Sequence, residues 1–417
     1  MSKQQHSPLA SPINLPNGST LKNRFAKSAM SESLGTIDNR MTARLPRLYG
    51  RWAAGGTGLL ITGNVMVDRR HLGEPGNVAL EDDRDLALLQ DWARAGTANG
   101  TQLWMQINHP GRQVIKFIDP DPVGPSAVPF RKDMQAMFAT PRPLAHAEIE
   151  NIIQRFANSA RLAKLAGFNG AQIHGAHGYL VNQFLSPLTN QRTDQWGGSL
   201  HNRMRFPVEI YKAMRAATGP DFALSIKLNS ADFQRGGFTE EESMQVAKTL
   251  ADLGMDLVEV SGGTYEQPEM AGGAVRQSTR EREAYFLKYA EAIRGHLPKT
   301  PLMVTGGFRS AAAMRDAVAS GATDIVGLAR PLVVEPDLPA RILAGEDVQS
   351  KVRPISTGIR MVDEMAMMEV SWYARQLHRM GDGKDPAQQP RGFFALLAVA
   401  GEMAVGGFRT RRLRASN

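Results

Sequence analysis

The chain has 417 residues, of which 42% are apolar and 22% charged, with a formal net charge of +8. This length accommodates one large α/β barrel with extensions, or two to three ordinary domains. The chain contains no cysteine, which excludes disulfides, thiolate zinc sites and cysteine-held iron–sulfur clusters.

The positive charge is concentrated at one end of the chain. Residues 391–417 contain five arginines against the single carboxylate of Glu402, which is half of the net excess. The rest is spread without a basic stripe interleaved with aromatics, so we expect no nucleic-acid partner. The first residues lack the apolar core of a secretory signal, and no apolar run of about 20 residues occurs. We therefore expect a cytoplasmic enzyme.

Short apolar runs alternate with amphipathic stretches along most of the chain. The predicted strands are Arg24–Met30, Gly58–Val65, Thr101–Asn108, Gly170–His174, Phe222–Asn229, Leu257–Ser261, Pro301–Thr305 and Asp324–Leu328. The predicted helices include Asp83–Asn99, Ala147–Ala166, His201–Ala217, Glu240–Leu253, Arg282–Arg294 and Ser310–Ser320. Eight strands, most of them followed by a helical stretch, predict an α/β fold of the (β/α)8 TIM barrel type.

Local signals support these boundaries. Thr239 precedes an acidic first helical turn, and Gly167, Gly254 and Gly321 each follow an apolar helical run. The glycine-rich residues 55–58 precede an apolar strand instead of following one. They therefore predict a helix-to-strand turn and not a dinucleotide-binding loop.

Two parts are expected, a barrel over residues 1–350 and a C-terminal helical extension with a basic tail over 351–417. Residues 355–380 predict a helix packed on the barrel, and 381–390 predict a linker. Residues 391–417 join an apolar stretch to the arginine cluster. This tail is compatible with a peripheral membrane contact or with docking on another subunit of a homo-oligomer, and both alternatives stay open.

Residues 174–199 are the most informative stretch for function. His174, His177 and Tyr179 leave the end of a predicted strand together. Two imidazoles and a phenol at such a position can polarise a bound carbonyl and protonate the carbon beside it. The two histidines could instead be ligands of a metal-dependent barrel hydrolase, although few carboxylates accompany them. A third alternative is an inactive barrel that acts as a membrane-associated binding scaffold.

The sequence resembles the old yellow enzyme family of FMN-dependent oxidoreductases from about Leu15 to Leu343. The matching segments are residues 21–24, 106–112, 174–199, 306–308 and 329–331. The resemblance implies an FMN-binding barrel in which hydride passes from NADH or NADPH, through the flavin, to a small electron-poor acceptor. A carbonyl-conjugated alkene reduced by a ping-pong mechanism is the expected case, without a metal.

The resemblance also implies roles for individual residues. His174 and His177 match the pair that binds the acceptor's carbonyl oxygen, and Tyr179 matches the phenol that protonates the neighbouring carbon. The residues matching FMN contacts are Ser28, Ala29, Met30, Ser31, Asn64, Gln106, Lys227, Gly306, Gly307, Ala329 and Arg330.

Within this set, Lys227 replaces the arginine that is usual near flavin N1. An ammonium offers charge there without the planar, two-pronged contact of a guanidinium. The four residues from positions 306, 307, 329 and 330 are expected to hold the phosphate, because glycines allow close backbone approach and Arg330 adds positive charge. Tyr265 is considered as an aromatic wall of the acceptor pocket.

Overall fold

A closed ring of eight parallel strands forms the centre of the molecule in the computed structural model, which describes residues 7–261, 288–353 and 367–387. The strands are β1 (Phe25–Lys27), β2 (Leu59–Ile61), β3 (Gln102–Asn108), β4 (Gly170–Gly175), β5 (Ala223–Asn229), β6 (Leu257–Ser261), β7 (Leu302–Thr305) and β8 (Ile325–Leu328). Each strand pairs in parallel with the next, and β8 pairs with β1. The expected TIM barrel is confirmed.

Helices surround this ring. They are α1 (Arg44–Ala54), α2 (Leu86–Gly96), α3 (His146–Ala166), α4 (Leu180–Leu185), α5 (Leu200–Arg203), α6 (Arg205–Thr218), α7 (Glu240–Asp252), α8 (Ala311–Ala319), α9 (Arg330–Val334), α10 (Leu338–Leu343) and α11 (Met367–Gly381). Residues 288–294 are also helical, and the first part of the predicted helix 282–294 lies outside the described residues. Thr239 accepts a hydrogen bond from the backbone N–H of Glu242, which confirms it as the N-cap of α7.

The structure differs from the sequence-based prediction in several places; the predicted strand 24–30, for example, ends at Lys27. Helix α1 was not among the predicted helices. The predicted helix 201–217 is two helices, α5 and α6, because Pro207 in the first turn of α6 has no N–H to continue the preceding turn. The predicted strand 58–65 ends at Ile61, and Val65–Met66 forms a separate strand beside the end of β3. Gly63 lies between them, where an added Cβ would be 2.5 Å from the carbonyl oxygen of Met30.

The amino end of the barrel is closed by a short antiparallel hairpin, Ile13–Asn14 with Thr20–Leu21. Leu15 and Leu21 pack with Ala26 and Trp104 in the apolar cluster inside the barrel. A larger apolar cluster lies between the strands and the helices. Since the hairpin covers the amino end, the carboxyl end is the open face of the barrel.

The C-terminal helix α11 is bound to α1 through three arginines. Arg44 donates to the carbonyl of His378 (3.1 Å), Arg47 to that of Gly381 (2.8 Å) and Arg51 to that of Lys384 (3.0 Å). These contacts satisfy carbonyl groups at the end of α11 and just after it. The division into two domains at residue 350 stays a prediction.

The basic tail 391–417 and Tyr265 lie outside the described residues. Within the described ranges, no helix combines the length and apolarity needed to cross a membrane.

Candidate active site

The residues predicted to form the site gather at the carboxyl end of the barrel. Because all eight strands are parallel, their carboxyl ends meet at one rim. Around it lie residues 28–31 after β1, Asn64 after β2, Gln106 in β3, His174, His177 and Tyr179 at and after β4, Lys227 in β5, Gly306 and Gly307 after β7, and Ala329 and Arg330 after β8. The buried members are Ser28, Gln106, His174 and Lys227, and the others are partly exposed. The site therefore has a buried floor and an open rim.

The two histidines contact each other. His174 Nε2 lies 3.2 Å from His177 Nδ1, and His177 Nε2 lies 2.7 Å from the hydroxyl of Ser261. The backbone of His177 is left-handed (φ +61°), and its N–H donates to the side chain of Asn229 (3.0 Å). Among the described residues, the buried Nδ1 of His174 has no hydrogen-bond partner. One ring nitrogen is thus available to a bound molecule.

Both imidazoles are neutral at physiological pH. Burial, followed by the charge of Lys227, lowers the pKa of His177 to about 3. Burial, followed by the neighbouring His177 and Lys227, lowers the pKa of His174 well below its usual range. A neutral imidazole has one N–H and one acceptor nitrogen, so the contact between the rings fixes their tautomers together.

Tyr179 lies beside this pair. Its ring centroid is 4.6 Å from that of His174, with the planes inclined by 55°. Tyr179 immediately precedes α4, and its side chain is partly exposed at the rim. The phenol is therefore positioned next to the imidazole that has a free nitrogen.

The buried floor contains a polar network that the sequence analysis did not identify. Lys227 forms an ion pair with Glu259 at 2.9 Å, and Gln106 donates to the side chain of Gln172 at 2.8 Å. Ser28 lies 2.7 Å from the hydroxyl of Thr305. The sequence pattern that could have revealed this network is a polar residue at an inward-facing position of an otherwise apolar strand.

A second missed cluster lies behind the segment that follows β1. Lys27 and Glu32, both buried, form an ion pair at 3.3 Å, and Tyr49 of α1 bonds to both. On the side facing the rim, Ser31 donates to Asn64 (3.1 Å), which joins the segments after β1 and β2. The lysine inside the apolar run 25–30 was the signal for this cluster.

The rim after β7 and β8 suits a phosphate. Gly306 and Gly307 have φ angles of +119° and +83°, in a region that side chains disfavour. Arg330 begins α9 and is partly exposed. Left-handed glycines let backbone N–H groups approach an anion closely, and the arginine adds a full charge.

These residues fit the requirements of FMN. The unpartnered Nδ1 of His174 is buried near the carboxyl end of β4, the floor holds an amide and a cation, and the two glycines after β7 carry no side chain that would block a phosphate. Among the described residues, no three His, Asp or Glu side chains are placed to hold a metal ion.

Comparisons with known proteins agree with this class of site. Residues 8–349 match the model of the NADH:flavin oxidoreductase / NADH oxidase family. The NADH-dependent flavin oxidoreductase iccE of Talaromyces variabilis is 39% identical over 361 residues, which cover 82% of this chain and 87% of the relative.

Solved structures show the same likeness. A 2-naphthoyl-CoA reductase bound to 2-naphthoyl-CoA has a TM-score of 0.76 at 26% identity, covering 89% of this chain and 58% of that one. The old yellow enzyme homologue from Zymomonas mobilis has a TM-score of 0.68 at 25% identity, covering 82% of this chain and 94% of that one.

The barrel and its rim define a flavin-dependent oxidoreductase. The chain belongs to the NADH:flavin oxidoreductase / NADH oxidase family, which includes the old yellow enzymes. FMN is its cofactor, and NADH or NADPH and a small molecule are its substrates. This membership identifies the chain as an oxidoreductase of that family and not as the metal-dependent hydrolase considered above.

Proposed function

We propose that this enzyme reduces carbonyl-conjugated alkenes with electrons from NAD(P)H in a ping-pong sequence. The observation that carries the proposal is the neutral pair His174–His177, in which the buried Nδ1 of His174 has no hydrogen-bond partner among the described residues. Bound FMN supplies the two-electron carrier chemistry that links the nicotinamide to the acceptor. The 2-naphthoyl-CoA named with one structural neighbour also carries a conjugated carbonyl.

The histidines hold the acceptor's oxygen. For His174 to donate from Nδ1, its Nε2 must accept from His177 Nδ1, and His177 Nε2 must then accept from the hydroxyl of Ser261. This order of hydrogen bonds leaves the N–H at His174 Nδ1 without a partner among the described residues, and so available to donate to the acceptor. Negative charge grows on a conjugated carbonyl oxygen as its β-carbon is reduced, so such a donor lowers the barrier by about 3 kcal/mol.

Tyr179 protonates the acceptor's α-carbon, directly or through a water. Its phenol lies beside His174 and is partly exposed, so a molecule bound at the free nitrogen would lie within its reach. The residues that would hold the flavin are 28–31, through their backbone, and Asn64, Gln106 and Lys227. Gly306, Gly307, Ala329 and Arg330 would hold its phosphate.

The first test uses the purified protein. We expect a yellow protein that releases FMN on denaturation and oxidises NADH or NADPH faster when cyclohexenone is added. Protein that takes up FMN but reduces no conjugated alkene would leave the family assignment intact and refute the alkene as the acceptor.

The second test replaces His174 and His177 together by alanine. We expect FMN to stay bound and the rate of bleaching of the flavin absorbance by NADH to change little. Reoxidation by the enone should slow by at least a hundredfold, because the oxygen loses its donor. The control is His201→Ala on the exposed surface of α5, which should change neither half-reaction. Equal reoxidation rates in the double variant and the parent would remove the histidines from the mechanism.

The ping-pong order has its own measurement. Initial rates at several fixed acceptor concentrations should give parallel lines in double-reciprocal plots against NAD(P)H. Intersecting lines would show that both substrates bind before either reacts.

A further inference from the structure

Glu259 is a fully buried carboxylate inside the barrel that has no role in the mechanism above. It receives three donors: Gln172 Nε2 at 2.8 Å, Thr305 Oγ1 at 2.7 Å and Lys227 Nζ at 2.9 Å. They come from β4, β7 and β5, so this one carboxylate joins four neighbouring barrel strands. Lys227 is itself a residue of the proposed flavin site. Gln172 contacts Gln106, and Thr305 contacts Ser28, which both belong to that site.

The carboxylate determines which way Gln106 faces. An ionised carboxylate can only accept hydrogen bonds, so Gln172 must turn its NH2 toward Glu259. The carbonyl oxygen of Gln172 then accepts from the NH2 of Gln106 at 2.8 Å. The remaining polar atom of Gln106 is its carbonyl oxygen, an acceptor that suits an N–H on the edge of a bound ring.

The same reasoning gives the direction of the second branch. The single hydroxyl proton of Thr305 is donated to Glu259. Ser28, 2.7 Å away, must therefore donate to the Thr305 oxygen. The hydroxyl proton of Ser28 is thus engaged below the rim, and only its oxygen lone pairs remain for other contacts.

The third contact concerns charge. The family resemblance places Lys227 near flavin N1, where a positive charge without a counter-ion would stabilise reduced flavin. Its ammonium lies 2.9 Å from the carboxylate, with the lysine side chain 3% exposed and that of Glu259 0% exposed. Because both side chains are buried away from water, the opposite charges interact strongly, and the pair as a whole has no net charge.

We propose that Glu259 is a positioning residue of the flavin site, which orients Gln106 and neutralises Lys227 and thereby lowers the two-electron midpoint potential of bound FMN. The inference rests on the proposed placement of the flavin over these side chains. In this proposal the midpoint potential of FMN is set by the Lys227–Glu259 ion pair of β5 and β6, and not by an unpaired lysine.

The net charge left at the Lys227–Glu259 pair predicts the order of the FMN midpoint potentials in three variants. Glu259→Gln leaves one positive charge, so reduced FMN should bind about tenfold more tightly relative to oxidised FMN, which is about +30 mV. Lys227→Met leaves one negative charge and should shift the ratio about tenfold the other way. The double variant removes both charges, and its ratio should return to within about threefold of the parent.

The experiment is a reductive titration of each FMN-loaded protein against a reference dye at one fixed pH. Fluorescence titration of the apoproteins gives the affinity for oxidised FMN. The control is Asp256→Asn, which removes a buried carboxylate just before β6, at the amino end, where Asp256 pairs with Arg215 (2.7 Å). Its midpoint potential should equal that of the parent.

The outcomes separate the alternatives. If Glu259 serves only the fold, Glu259→Gln and the double variant will lose stability and FMN affinity without the ordered potentials, and the inference is overturned. If Glu259→Gln does not fold, Lys227→Met and the double variant still decide, because their potentials must differ by the same tenfold ratio. A parent protein whose FMN-loaded form reduces no alkene refutes the proposed function, whereas this inference depends only on the potentials.

Discussion

The buried ion pair behind the first strand offers a sharp test of what holds the flavin-facing segments in place. Lys27 Nζ donates to the carbonyl of Ile61 (2.8 Å) and to the hydroxyl of Tyr49 (3.1 Å), and it lies 3.3 Å from Glu32 Oε1. It also lies 4.7 Å from the ring centre of Trp52. The cluster therefore ties β1, β2 and α1 together directly below the rim.

Lys27→Met is the informative perturbation. Methionine fills much of the same space, so the main loss is the counter-ion of Glu32, whose side chain is only 7% exposed. Breaking one side of a buried pair costs about 3–5 kcal/mol. Glu32→Gln should cost a similar amount, because it leaves the lysine charge without its partner. The double variant should lose about 2–3 kcal/mol less than the sum of the two single losses, since it leaves no unpaired charge.

The assay is equilibrium unfolding in urea, followed by far-UV circular dichroism, of the FMN-loaded proteins. Lys248→Met provides a matched control, because Lys248 is half-exposed and pairs with Asp252 on the surface of α7. That variant should lose no more than about 0.5 kcal/mol. Additive losses from Lys27→Met and Glu32→Gln would refute the reasoning, because independent sites cannot be a coupled pair.

Four further outcomes are expected. Burial lowers the pKa of Lys27 to about 8 from its ordinary 10.5, so the unfolded chain holds one more proton between these values. The free energy of unfolding should therefore gain on the order of 1 kcal/mol from this group between pH 7 and 9, and Lys27→Met should lack that gain. The pKa of His177 falls to about 3, so stability is lost below pH 6.5 as the unfolded imidazole takes up a proton that the folded one does not. The loss should be about 1 kcal/mol per such histidine between pH 6.5 and 5.5, and a His177→Gln variant with the parent's full pH slope would contradict this. Tyr179→Phe should slow flavin reoxidation by an enone about a hundredfold, and an unchanged rate would mean that the proton comes from elsewhere. Gly307→Val should weaken FMN binding at least tenfold in fluorescence titration, because valine disfavours a φ of +83° and intrudes on the phosphate cradle; equal affinity would place the phosphate elsewhere.

The sequence by itself determined the barrel and the composition of its rim. Apolar runs alternating with amphipathic stretches predict parallel strands and outer helices, and a parallel barrel brings every strand's carboxyl end to one face. His174 was expected at this face from its position at the end of a predicted strand, and it lies there. Gln106 and Lys227 were assigned from the family resemblance and lie within strands β3 and β5, and the roles of all three stay predictions. The helix cap at Thr239 was also predicted from the sequence, because a cap involves residues only a few positions apart.

Only the tertiary structure decided how these side chains are partnered. Glu259 collects donors from strands β4, β5 and β7, and Lys27 reaches Tyr49, which is 22 positions away on α1. Closure of the ring and the register of each strand set these contacts. Both result from pairing between distant parts of the chain, which no local pattern of residues encodes. The sequence shows that Lys227 carries a charge. That Glu259 neutralises this charge depends on the register that places Glu259 of the next strand beside it.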